Sequence, residues 1–255
     1  MFLVGGKDGR NEGRDLIARF VRLSGGASAR VLVITSASMK PERHRKEYRE
    51  AFLESGARDV SIFHVEEPAA SNDPELLGAL ERADGVYFSG GSQRRLVGVL
   101  GGTRFDERLR ARHRKGVVVG GTSAGASAMS SVMIAEGDGK TPILSTGFGF
   151  LKEIIVDQHL RQRERLSRLI AAVLLHPAML GFGLDEGTAV EIDSSGRAAV
   201  FGAGSLTIVD GSQVKGASTT GFAGMRLHVL TEGWRYDLLD REAKSPSKRF
   251  ARAAT

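Results

Sequence analysis

The strongest constraint on the fold is a rhythm in the first two-thirds of the chain, where short apolar runs alternate with segments of helical period. Residues 2–4, 30–35, 60–65, 85–88 and 116–119 are rich in β-branched or aromatic side chains. All but 60–65, which runs into Glu66-Glu67-Pro68, are followed by Gly or Ser, and each reads as a strand. Helices are expected over 11–23, 41–55, 74–82 and 105–114. Pro41 and Pro74 stand at first helical positions, with Asp73 as a cap for the latter. Apolar strands alternating with helices of this length form a parallel sheet covered on both faces. Ligands of such sheets gather outside the carboxyl ends of the strands. Four glycine- and serine-rich loops fall at those ends: Gly5-Gly6, Thr35-Ser-Ala-Ser, Ser89-Gly-Gly-Ser-Gln and residues 120–125.

A further helix is expected over 163–175, ending at His176-Pro177. After it, residues 181–239 read as short strands separated by turns such as Asp193-Ser-Ser-Gly, an antiparallel extension of the same sheet. No linker divides the chain, so residues 1–240 are expected to be one α/β domain, followed by a basic, disordered tail over 241–255.

Composition narrows the function. The chain has 255 residues and no cysteine, which removes disulfides, thiolate metal sites and a cysteine nucleophile. The net charge is +6, but residues 241–255 hold five bases and one acid and so carry +4 of it. With one Trp, three Tyr and no basic-aromatic interleaving, a nucleic-acid surface is not expected. No apolar run approaches the ~20 residues of a membrane span. Nothing resembles a secretory leader, so a cytoplasmic protein is expected.

The chemistry is concentrated in Val117-Val-Val-Gly-Gly-Thr-Ser-Ala-Gly-Ala-Ser-Ala-Met, an apolar strand running into Gly-x-Ser-x-Gly and a small-residue helix. Such a turn exposes the Ser123 hydroxyl, and the helix behind it points amides at developing negative charge. A serine nucleophile needs a base, and the base needs an orienting partner. Of the six histidines, His159 closes a β-branched strand just before a helix. By position alone it serves equally as general base or as a structural histidine. Arg161, Arg165 and Arg168 are spaced for one helix face, with Arg163 on another; they form either a solvated basic face or a clamp for substrate carboxylates. Gly90 and Gly91 either make a plain turn or bring an amide to an oxyanion, with the Ala124 amide as partner. Asp185 or Glu186 could orient His159, receive a cationic substrate group, or be a surface pair. Gly5-Gly6-Lys-Asp-Gly lacks a complete phosphate-loop or dinucleotide spacing.

Four segments in order resemble the cyanophycinases: Phe88-Ser-Gly-Gly-Ser-Gln, Gly121-Thr-Ser-Ala-Gly-Ala-Ser-Ala-Met-Ser, Val156-Asp-Gln-His-Leu-x-Gln-Arg-x-Arg-x-x-Arg and Leu184-Asp-Glu-Gly-Thr-Ala. These are serine peptidases that cleave a storage polymer of β-linked Asp–Arg units, in a family that also includes aspartyl dipeptidase. The resemblance runs from Leu3 to Leu238. It implies a glutamine-amidotransferase-like α/β fold, a homodimer, and no metal or cofactor. It also implies Ser123 as nucleophile, His159 as base and Glu186 as third member. Gln93, Asp157, Gln158, Arg163, Arg165 and Arg168 then fall in the substrate pocket. The implied reaction is hydrolysis of β-aspartyl-arginine linkages in cyanophycin, releasing β-Asp-Arg dipeptides. It proceeds by attack of Ser123 on the β-aspartyl carbonyl, with Gly91 and Ala124 as the oxyanion hole. The alternatives are a dipeptidase for short aspartyl or isoaspartyl peptides and a catalytically silent binding protein on the same fold. One departure is Ser92, where an acidic residue is expected.

Overall fold

The computed structural model describes residues 1–8, 14–137, 141–218 and 221–246. In chain order the first half comprises β1 (Phe2–Val4), α1 (Arg14–Leu23), β2 (Arg30–Ile34), α2 (Pro41–Glu54), β3 (Asp59–Phe63), α3 (Pro74–Arg82), β4 (Gly85–Phe88), α4 (Gln93–Leu100), α5 (Arg104–Arg114), β5 (Val118–Thr122) and α6 (Ala124–Ser127). There follow β6 (Val132–Glu136), β7 (Ile143–Thr146), β8 (Ile154–Gln158), α7 (Leu166–Leu175), β9 (Leu180–Leu184), β10 (Thr188–Ile192), β11 (Arg197–Gly202) and β12 (Leu206–Asp210). The chain closes with β13 (Lys215–Ser218), β14 (Gly221–Ala223), β15 (Arg226–Leu230), β16 (Arg235–Asp237) and β17 (Glu242–Lys244).

Nine of these strands make one sheet, ordered β17-β16-β11-β10-β1-β5-β4-β2-β3. From β1 to β3 every pairing is parallel, and β10 joins the other side of β1 antiparallel. Side chains alternate across each strand, so an apolar strand feeds two cores at once. Phe2, Val4, Val31, Val33 and Tyr87 pack under α1 and α2, while Leu3, Leu32, Ile34, Val86 and Phe88 pack under α3, α4 and α5. Fully burying each large apolar side chain contributes about 1.5–3 kcal/mol. The first of these cores is aromatic at its centre: Tyr87 meets Phe20 and Phe52 edge-on, with ring centroids 5.1 and 5.3 Å apart. Such edge-on pairs add roughly 0.5–1.5 kcal/mol beyond their buried area.

Several elements differ from the sequence expectation, each for a local reason. The strand expected at 116–119 runs later, to Thr122, because Gly120 and Gly121 pair with β1 on one side and β4 on the other. The C-terminal strands do not all extend the main sheet. β8, β9, β12 and β15 form a second sheet, with Phe182, Leu184, Leu206 and Ile208 turned toward the larger core and α7 packed on the far face. Alternation reveals that a strand has two faces, not which sheet it joins. The helix expected from 163 starts at Leu166, after a turn in which His159 and Glu164 have φ of 51° and 52°. At the start of the expected tail, Glu242–Lys244 pairs with Arg235–Asp237 as an edge strand of the main sheet. Residues 247–255 of that expected tail, and 11–13 of the first expected helix, lie outside the described residues.

Candidate active site

Ser123 sits between β5 and α6 with φ 51° and ψ −112°. A non-glycine residue held there stores on the order of 1–3 kcal/mol of strain. The surroundings hold it in place. Its amide donates to the Val4 carbonyl at 2.9 Å, and its carbonyl accepts from the amides of Ala126 and Ser127, both at 3.0 Å. Gly125 is required by close approach, since a Cβ there would lie 2.3 Å from the Phe88 carbonyl oxygen.

His159 follows β8, and its amide donates to the Gly5 carbonyl at 2.9 Å. Its ring lies against Gly6, where a Cβ would fall 2.2 Å from the imidazole Cε1. Nε2 is 2.9 Å from the Ser123 Oγ, and Nδ1 is 2.7 Å from Glu186 Oε1. The carboxylate accepts the Nδ1 proton, which leaves Nε2 bare to accept from the serine. The ambiguity between the two adjacent acids is thereby resolved. Glu186 faces His159, while Asp185, fully buried, accepts from Ser205 Oγ at 2.6 Å and from Arg161 Nε at 2.5 Å.

Glu186 has two further partners that sequence reasoning missed. Lys7 Nζ lies 2.9 Å from Oε2, and the Glu186 amide donates to Gln162 Oε1 at 3.1 Å. Burial alone would raise the Glu186 carboxyl, but bonds from Lys7 and His159 outweigh it and hold the group below its ordinary range. His159 is also lowered: burial disfavours its charged form and wins over the hydrogen bond it donates to Glu186, which raises it, with Arg163 and Arg165 adding repulsion.

The residues placed in a pocket by resemblance separate into two groups. Gln158 and Arg165 reach the nucleophile: Gln158 Oε1 is 3.3 Å from Ser123 Oγ and accepts from Arg165 Nη1 at 2.8 Å. Burial, helped by the like charge of Arg168, pulls the Arg165 guanidinium down to about 10, so it remains a cation at neutral pH. Arg163 is exposed in the turn beyond His159. The other three point into the protein. Asp157 and Arg168 form a buried bidentate pair at 2.6 and 2.7 Å. Gln93 donates its side-chain amide to the Ile134 and Ala135 carbonyls at 2.9 and 3.1 Å, tying α4 to β6. The expected single helix face of arginines is therefore not formed; only Arg168 lies on α7.

On the other side of Ser123 runs the Gly90-Gly91 loop, where a Cβ on Gly90 would lie 3.4 Å from the Ser123 Cβ. Ser92 caps α4, accepting from the Arg95 amide at 3.3 Å, a role serine fills as well as aspartate. Among the described residues, no group of three or more His, Asp or Glu side chains could hold a metal ion, and no helix is long and apolar enough to cross a membrane.

A strained serine on a strand-to-helix turn, bonded to a histidine that a glutamate orients, defines a serine peptidase on an α/β sheet. The model of peptidase family S51 matches residues 1–199, and the chain belongs to that family. It is 37% identical over 253 residues to the cyanophycinase of Synechococcus elongatus, covering 92% of this chain and 78% of that protein. The cyanophycinase of Geminocystis herdmanii is 34% identical over 252 residues, covering 93% of both. The fold is shared with a peptidase from an acI-B1 Actinobacterium, at a TM-score of 0.73 and 20% identity over 96% of this chain and 95% of that one. A putative peptidase E of Listeria monocytogenes gives 0.57 and 16% over 79% of this chain and 97% of that one.

Proposed function

We propose that this peptidase degrades cyanophycin through an acyl-enzyme on Ser123. The observation that carries the reading is the bonded line Glu186–His159–Ser123 with a partly buried guanidinium, Arg165, one residue away through Gln158. Polymer units carrying free carboxylates suit a cation at that point. His159 takes the Ser123 proton as Oγ bonds to the substrate carbonyl carbon, and the amides of Gly91 and Ala124 receive the oxyanion. His159 gives the proton to the leaving nitrogen as the C–N bond breaks. Water then loses a proton to His159, attacks the ester carbon, and Ser123 regains its hydrogen.

Chemistry selects which bond is cut. Release of intact β-Asp-Arg dipeptides leaves every β linkage whole, so the bond that breaks is the amide joining one unit to the next. The expected attack on the β-aspartyl carbonyl is corrected by this: it would cut the β linkage and free arginine instead. Incubating the purified protein with cyanophycin, and separately with short α- and β-aspartyl peptides, tests the reading. β-Asp-Arg is the expected product from the polymer. Turnover of short peptides alone would assign a dipeptidase, and no turnover at all, with the fold intact, a binding protein.

The pH dependence carries its own prediction. The base must be neutral, so kcat/KM is expected to rise with pH along an acid limb centred below the ordinary histidine value and to level off by neutrality. In Glu186→Gln the charge that raises His159 is gone, and at best a weaker, neutral acceptor remains. The limb then moves to still lower pH, while the plateau drops by up to about 10⁴-fold. An acid limb that moves upward in this variant would contradict the assignment of Glu186 as the partner of His159.

A further inference from the structure

A cleft of about 500 Å³ leads away from Ser123 and His159 on a side that Gln158, Arg165 and Arg168 do not line. Gly90, Gly91 and residues 37–40 border it, and it reaches Asp8, His44 and Tyr48. Asp8 is 4% exposed. One of its oxygens, Oδ2, accepts from the hydroxyls of Tyr48 at 2.8 Å and Tyr87 at 3.0 Å. Among the described residues, no basic side chain pairs with Asp8 and its other oxygen has no partner.

That arrangement is costly for a purely structural acceptor. Two neutral hydroxyls offset part of the desolvation of a carboxylate, but a buried charge without a counter-charge is expensive. A neutral amide oxygen would accept from the same two tyrosines. The charge is therefore surplus to the packing, and it lines a cleft that opens onto the nucleophile. Of the basic side chains bordering this cleft, Lys7 pairs with Glu186, Lys40 is on the exposed rim, and the His44 ring packs edge-on against Tyr48 at 5.7 Å. Burial and the negative charge of Asp8 push the Tyr87 phenol well up, which keeps it a donor at any working pH.

We propose that Asp8, held by Tyr48 and Tyr87, is the specificity residue for the arginine side chain of the substrate, receiving its guanidinium in this cleft. A planar guanidinium matches a carboxylate fork and packs well on an aromatic wall such as Tyr48. The free α-carboxylate of the same arginine then lies toward the rim, where Lys40 stands. The nucleophile is thus flanked by a cation, Arg165, on one side and an anion, Asp8, on the other, which suits a zwitterionic β-aspartyl-arginine unit. The assignment rests on the reading of this enzyme as a hydrolase of such units.

The test compares kcat/KM on a soluble β-aspartyl-arginine oligomer with that on the same oligomer carrying citrulline, the uncharged counterpart, at every arginine. The wild-type enzyme is expected to prefer arginine by about 30-fold or more, since truncating a buried charge pair in an interface has effects of this size. In Asp8→Asn, which keeps an acceptor for both tyrosines, the ratio is expected to fall to near one, mainly through KM for the arginine substrate. A wild-type enzyme that turns over both substrates equally overturns the assignment without any variant. So does an Asp8→Asn enzyme, folded by circular dichroism, that keeps the wild-type ratio. Absence of turnover on both oligomers by the wild-type enzyme overturns the hydrolase reading, and the assignment of Asp8 with it.

Discussion

Replacing Ser123 by alanine is expected to lower kcat/KM by at least ~10⁴-fold while the melting temperature stays within about a degree of wild type. The stability half of this expectation comes from the backbone. Alanine has the same Cβ, so the strained conformation at φ 51° is no harder to hold, and the amide and carbonyl bonds to Val4, Ala126 and Ser127 involve no side-chain atom. The catalytic half comes from the hydroxyl at 2.9 Å from His159 Nε2, whose loss leaves the base nothing to deprotonate. Because nucleophile and base act as one unit, the double variant Ser123→Ala, His159→Ala should be no slower than Ser123→Ala alone. Release of product from the polymer measures both. Comparable turnover by Ser123→Ala and wild type would remove Ser123 from the mechanism.

The second large effect is expected at a residue that a pocket reading alone would put down to substrate binding. Arg168 is buried, and its Nε and Nη2 both bond Asp157, while Nη1 donates to the Gly137 carbonyl at 3.1 Å. Arg168→Ala leaves the buried Asp157 carboxylate with the Gln158 amide at 2.9 Å and only a long contact to Arg165 Nη1 at 3.9 Å. Breaking one side of a buried pair costs about 3–5 kcal/mol. For a chain of this size a loss of 1 kcal/mol lowers the melting temperature by about 2–4 °C, so a fall of roughly 6–20 °C is expected. Replacing both partners, as in Asp157→Asn with Arg168→Met, should recover part of it. Unchanged melting with a raised KM would instead make Arg168 a substrate contact.

Different parts of this arrangement were legible in the sequence to different degrees, and the reasons are physical. The parallel half follows from apolar runs that must be buried on both faces, a pattern few other folds tolerate. Ser123 was readable because a nucleophile elbow is built from contiguous residues. His159 and Glu186 were readable as candidates, since each lies at a strand end, but their pairing came only from the family resemblance, because neighbouring Asp185 has the same chemistry and faces the other way. The arginines show the limit of periodicity: spacing implies a helix face only where a helix exists, and the positive φ at His159 and Glu164 delays α7 to Leu166. Lys7 and Asp8 carried no local signal. Their roles arise only when β1 is threaded between β5 and β10.

That threading has a consequence for how the catalytic residues are held. Three successive carbonyls at the end of β1 hold the catalytic backbone: Val4 takes the Ser123 amide, Gly5 the His159 amide, and Gly6 the Gly187 amide beside Glu186. Ser123, His159 and Glu186 are each more than a hundred positions away from this strand, yet the backbone at or beside each is held against it. Without β1 in place, the amides of Ser123, His159 and Gly187 lose the carbonyls that hold them. The central strand thus ties the geometry of the Ser123–His159–Glu186 line to completion of the sheet.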